Sequence, residues 1–125
     1  MKHSKILFAP IALIIAAIAF FNFKSGEKAT DFLQITTIES VVPGGLGRSR
    51  MITQDGSGQM EEIKMENFFS LAGINFQNVR LNDKLITDKI SRLTNDGWTL
   101  VEVTPGVYAA DKSTGIFITR YLFKK

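Results

Sequence analysis

Cysteine is absent from the 125-residue chain. That removes disulfides, thiolate metal sites and cysteine nucleophiles. It also excludes a lipid-attachment cysteine, and it leaves an exported domain to be held by its core alone. Histidine occurs once, at His3, ahead of an apolar N-terminal run. A Ser-His-Asp triad or a histidine metal cluster is therefore excluded from the rest of the chain. Internal repeats and low-complexity segments are also missing. So is an excess of charge: with Lys2 and Lys5 set aside, 13 basic residues face 12 acidic ones. The isoelectric point near 9.3 thus reflects near-balance, and no concentrated basic face points to nucleic acid. No cofactor motif occurs.

What is present begins with an address. In "MKHSKILFAPIALIIAAIAFFNFK", Lys2, His3 and Lys5 lead into an uncharged run from Ile6 to Phe23. As a helix this run would be about 27 Å long, marginal for a hydrocarbon core of roughly 30 Å. Two readings stay open. One is a signal peptide cleaved after Ala19, with Ala17-Ile18-Ala19 as a small-x-small site. The other is an uncleaved anchor, favoured by Phe20, Phe21 and Phe23, which continue the apolar run where a polar region should precede a cleavage site. A buried core helix is the third, less expected use of such a run. Either leading reading divides the chain into a signal peptide or anchor (1–23), a linker (24–31) and an extracytoplasmic domain (32–125). The membrane is then a partner through residues 6–23 wherever they are retained.

The domain reads as α+β. "FLQITTIESVV" predicts a strand with Leu33, Ile35 and Thr37 on one face. "PGGLG" stops it, "RSRMITQ" predicts a second strand, "DGSG" a hairpin turn, and "QMEEIKM" a third strand near an edge. "ENFFSLAG" predicts a short helix ending at Gly73, and "INFQNVR" an extended connection. Leu85, Ile86, Ile90 and Leu93 form an apolar stripe at helical spacing, with Asn82 or Asp83 as N-cap and Gly97 as terminator. "WTLVEV" predicts a strand, Pro105-Gly106 a bend, and the remainder a hairpin turning within Asp111–Gly115. The expectation is an antiparallel sheet of about four to six strands, with one main amphipathic helix and a short one on one face.

Candidate sites are few. Glu61 and Glu62, or Asp55, are candidates for a carboxylate-only hydrolase, but adjacent Glu61 and Glu62 on a strand point to opposite faces. "DGSGQMEEIKME" has Asp55 first and Glu66 twelfth, as in a calcium loop; Met60 occupies the place of the obligatory glycine, and Ser57 and Gln59 replace carboxylates. "PGGLGRSR" offers more. Gly44, Gly45 and Gly47 can expose backbone N–H groups, and Arg48 and Arg50 lie two apart on one strand face. Together they could hold a phosphate or a partner's carboxylate. The Walker lysine and the dinucleotide glycine spacing are both missing, however.

The segment "LITDKISRLTNDGWTLVEVTPG…GIFITRYLFKK" resembles a family of small bacterial domains of unknown function. The family's signature is an amphipathic helix running into Leu-x-x-x-Gly-Trp-x-Leu-Val, matched by Leu93, Gly97, Trp98, Leu100 and Val101. Thr99 departs from the family's usual glutamate. The resemblance covers 81–125 and extends to 32–40 as a first strand; 42–80 has no counterpart. It implies a β-α-β-β module, and no activity or catalytic residue comes with it. The lone tryptophan then reads as a core residue folded back over the last helical turn, with a ligand platform as the alternative. The expected function is a non-catalytic binding or assembly module of the cell envelope with a protein partner. The alternative is a small-anion receptor or minor enzyme using the Arg48/Arg50 loop.

Overall fold

The computed structural model describes residues 30–109, 111 and 114–125. Strand β1 (Phe32–Val41) alternates as its sequence predicts: Leu33, Ile35 and Thr37 are buried. A 3-10 turn at Pro43–Gly45 leads to β2 (Arg50–Asp55), which returns antiparallel to β1. The Asp55 carboxylate closes the next turn by accepting hydrogen bonds from the Ser57 and Gln59 N–H groups. Strand β3 (Met60–Lys64) follows and forms one edge of the sheet.

The expected short helix before Gly73 is not there. Instead Phe69–Ser70 (β4) and Gly73–Ile74 (β5) form a two-stranded hairpin. The Ser70 hydroxyl organises the turn, accepting from the Ala72 N–H and donating to the Gly73 carbonyl. Such local hydroxyl bonds compete with helical ones. Helix α1 then spans Phe76–Asn95 and begins earlier than its apolar stripe suggests. The Asn75 side chain accepts from the Gln77 and Asn78 N–H groups, so Asn75 is the N-cap. Asn82 and Asp83 lie inside the helix, and the connection expected over "INFQNVR" is mostly its first turn.

Gly97 has φ of 88°. Its N–H bonds to the Thr94 carbonyl and that of Trp98 to the Leu93 carbonyl, the paired bonds of a Schellman stop. Strand β6 (Thr99–Ala109) runs straight through Pro105-Gly106, where the sequence predicts a bend. It can do so because β6 is the other edge of the sheet, where a missing N–H is tolerated. Strand β7 (Gly115–Lys124) completes a five-stranded sheet in the order β3-β2-β1-β7-β6, with every neighbouring pair antiparallel. The architecture is α+β.

The core lies between α1 and one face of the sheet. Ile35, Met51, Met65, Phe123, Leu33 and Leu93 are buried there, and Ile63, Leu85, Ile86, Ile90, Trp98 and Tyr121 pack around them. The tryptophan is thus a partly buried core residue. Among the described residues no helix is long and apolar enough to cross a membrane. The run Ile6–Phe23, on which the signal or anchor reading and the expected N-terminal helix rest, lies outside the described residues.

Candidate functional site

The glycine-rich loop is fastened to the body of the domain. The Ser49 hydroxyl accepts from the Ser40 N–H at 2.9 Å and donates to Asn67 Oδ1 at 3.0 Å. Ser40 Oγ accepts from the Arg48 N–H, and Asn67 Nδ2 donates to the Gly45 carbonyl. Gly47 sits so close that a Cβ there would collide with Ser40 Cβ. The glycine allows the loop to pass over β1.

Neither arginine is displayed as expected. Arg48 lies two residues before β2, outside the strand. Arg50 is its first residue and pairs with Glu62 across the β2–β3 ladder, while also donating to the Ser49 carbonyl. A hollow of about 420 Å³ does adjoin Gly44 and Gly45, but it is completed by Glu66, Asn67, Ser70 and Asn78, among others, and not by either arginine. A carboxylate in that lining works against an anion.

Glu61 and Glu62 point to opposite faces, as their adjacency requires. Both are ion-paired. Glu61 reaches under the sheet to Lys89 of α1 at 2.6 Å, with Arg92 at 3.5 Å. The Lys89 side chain is only 5% exposed. Its hydrogen bond, together with the charges of Lys89 and Arg92, holds the Glu61 carboxyl below its ordinary range. Sequence reasoning missed Lys89. The available signal was its place inside the apolar stripe, four residues after Leu85 and four before Leu93.

A second polar group lies towards the other side of the helix. Glu39, on the helix-side face of β1, accepts from Asn82 Nδ2 at 3.1 Å. Asn82 is fully buried and also exchanges two bonds with the Glu66 backbone. Burial pushes Glu39 above the usual carboxylate range, and Asp83 of α1 adds to the shift by repulsion. Burial likewise raises Tyr121, with Glu39 and Asp83 contributing. No cation pairs with Glu39 or Asp83 within ion-pair distance among the described residues.

Beside this group the sheet is bare. Strand β6 is exposed along its whole length. Register places Leu100 opposite Phe123, Val103 opposite Tyr121 and Val107 opposite Phe117. Directly opposed residues share a face, so these three apolar side chains lie on the same side as α1. Val107 is 71% exposed and Phe117 39%, although Phe117 meets Phe68 at 5.6 Å between ring centroids. No sequence signal marks this face, because alternation identifies a strand's two sides without saying which strand a helix will cover.

Among the described residues no group of three or more His, Cys, Asp or Glu is placed to hold a metal ion. No family model, curated protein or solved structure matches the chain.

Proposed function

We propose that this protein is a non-catalytic binding or assembly module of the cell envelope, tethered by residues 6–23 or exported through them. One observation carries the binding part of this reading: an eleven-residue edge strand exposed throughout, with Leu100, Val103 and Val107 side by side on one face and open to solvent. Contiguous apolar surface of this kind marks interaction sites. The address rests on the uncharged run from Ile6 to Phe23 behind Lys2 and Lys5. The resemblance to the small bacterial domains of unknown function belongs to the same proposal. Its support is the helix stop at Gly97 and Trp98 leading into a strand.

The test is affinity purification from solubilised membranes with identification of the recovered proteins, comparing wild type with a Val103→Asp/Val107→Asp variant. Partners recovered with wild type and lost with the variant support the reading. Identical recoveries, or a full-length protein confined to the soluble cytosolic fraction, contradict it.

A further inference from the structure

We propose that the helix-side face of β6 and β7 receives a helix from a protein partner, apolar on the side it buries and carrying a lysine or arginine opposite Glu39 and Asp83. This rests on the reading of the protein as a binding module and names the partner's chemistry.

The first argument is width. Five strands at about 4.8 Å spacing make a sheet roughly 24 Å across, while a helix with its side chains is about 10–12 Å wide. Two helices are needed to roof such a face, and the described residues supply one. That helix is held on the β2–β3 side: Lys89 and Arg92 reach Glu61 of β3, and Leu85, Lys89 and Arg92 lie beside Met51 and Ile63. The bare strip is β6 with the neighbouring part of β7. Its eleven residues run for roughly 36 Å, room for a helix of about 20 residues.

The second argument is charge. The strip is floored by Leu100, Val103, Val107 and Phe117, and its α1 side carries Glu39 and Asp83, with no cation paired to them among the described residues. Glu39 is bonded to Asn82 of α1 and Asp83 is the next residue of that helix, so two carboxylates share the α1 side of the strip and favour a basic group.

The third argument separates the face from the edge. The free edge of β6 contains Pro105, which has no N–H to give another strand, and a bulge between Leu100 and Glu102. Both devices discourage strand addition. What β6 offers is side chains, and an amphipathic helix laid in a groove uses side chains.

The test uses the full chain in an uncharged amphipol and two labelled helical peptides of about 20 residues. Both carry leucine on one face; the other face is lysine in one and glutamate in the other. Fluorescence anisotropy is read against empty amphipol. The lysine peptide is expected to bind about tenfold more tightly than the glutamate peptide. Val107→Asp should weaken it by a similar factor with an unchanged melting curve, since Val107 contributes little to the core. The pair Glu39→Gln and Asp83→Asn should shrink the difference between the peptides.

Equal binding of the two peptides, or binding indifferent to Val107→Asp, overturns the inference. A dimer that Val107→Asp dissociates would assign the face to a second copy, and a disulfide between cysteines introduced at Ala16 and Val107 of one chain would assign it to the chain's own N-terminal run. Either result overturns the inference. If neither peptide binds while Val103→Asp/Val107→Asp still strips partners from membranes, the inference falls and the binding-module reading stands. If the partners also remain, both fall.

Discussion

The Trp98 N–H donates to the Leu93 carbonyl at 2.9 Å, and this bond turns a helix into a strand. It forms because Gly97, between them, adopts a φ of 88°. Lys125 locks the arrangement from the far end of the chain: its ammonium donates to the Asp96 carbonyl at 2.7 Å and lies 5.9 Å from the Trp98 ring centroid. A cation there also complements the negative end of the helix dipole.

Gly97→Ala is therefore expected to cost about 1–2 kcal/mol. The added methyl group would meet only the flexible Lys125 side chain, at 3.6 Å, so the penalty is conformational. Trp98→Ala should cost about 3 kcal/mol, the lower part of the range for aromatic core truncations, because the ring is partly exposed. Urea denaturation of each variant measures both. A Trp98→Ala protein as stable as wild type would remove the ring from the core and restore the ligand-platform alternative.

Lys89 and Glu61 should respond unequally to mutation. The lysine is 5% exposed and the glutamate 50%. Lys89→Met removes a buried charge and leaves a carboxylate that water and Arg92 can serve, so stability should change by less than about 1 kcal/mol. Glu61→Gln leaves the buried ammonium without its counterion and should cost about 2 kcal/mol. Equal losses, measured by denaturant titration at neutral pH, would contradict this asymmetry.

The pH dependence has two opposed contributions. Glu61 and Asp55 are held below their ordinary values of 4.5 and 3.8. Their stabilisation is present above those values and disappears as pH falls through the lowered folded values. Glu39 is raised above 4.5. Its contribution is favourable below 4.5 and is lost as pH rises through the raised folded value. Glu39→Gln keeps an acceptor for Asn82 and removes the charge, so it should stabilise the protein at neutral pH and lose that advantage near about pH 4. Denaturation midpoints at the two pH values test it; an advantage that grows on acidification would show the sign to be wrong.

Much of the fold is legible in local patterns. The alternation of Leu33, Ile35 and Thr37, the turn at Asp55 and the stop at Gly97 each depend on neighbours in sequence, and each stands in the structure. Local patterns fail where distant residues decide. Phe68 has the spacing of a helical residue, yet its ring packs at a tilt against Phe117, and the Ser70 hydroxyl turns the chain into a hairpin. Asn82 has the chemistry of a cap, yet it is buried and bonded to Glu39 and the Glu66 backbone. Pro105-Gly106 has the composition of a bend, and the freedom of an edge strand absorbs it. The candidate site is the least legible part. Arg48 and Arg50 stand out by composition, whereas bareness of the β6–β7 face follows from where α1 packs.

Because the chain has no cysteine, a single introduced thiol reports on one position, and this gives the most direct test of the proposed docking surface. Val107→Cys should react rapidly with a water-soluble maleimide in the purified full-length protein, since Val107 is 71% exposed. In native membranes, where the proposed partner would cover it, the same thiol should be protected by about tenfold or more, while Arg48→Cys on the exposed loop reacts alike in both settings. Equal reactivity of Val107→Cys in the purified protein and in native membranes would contradict the account.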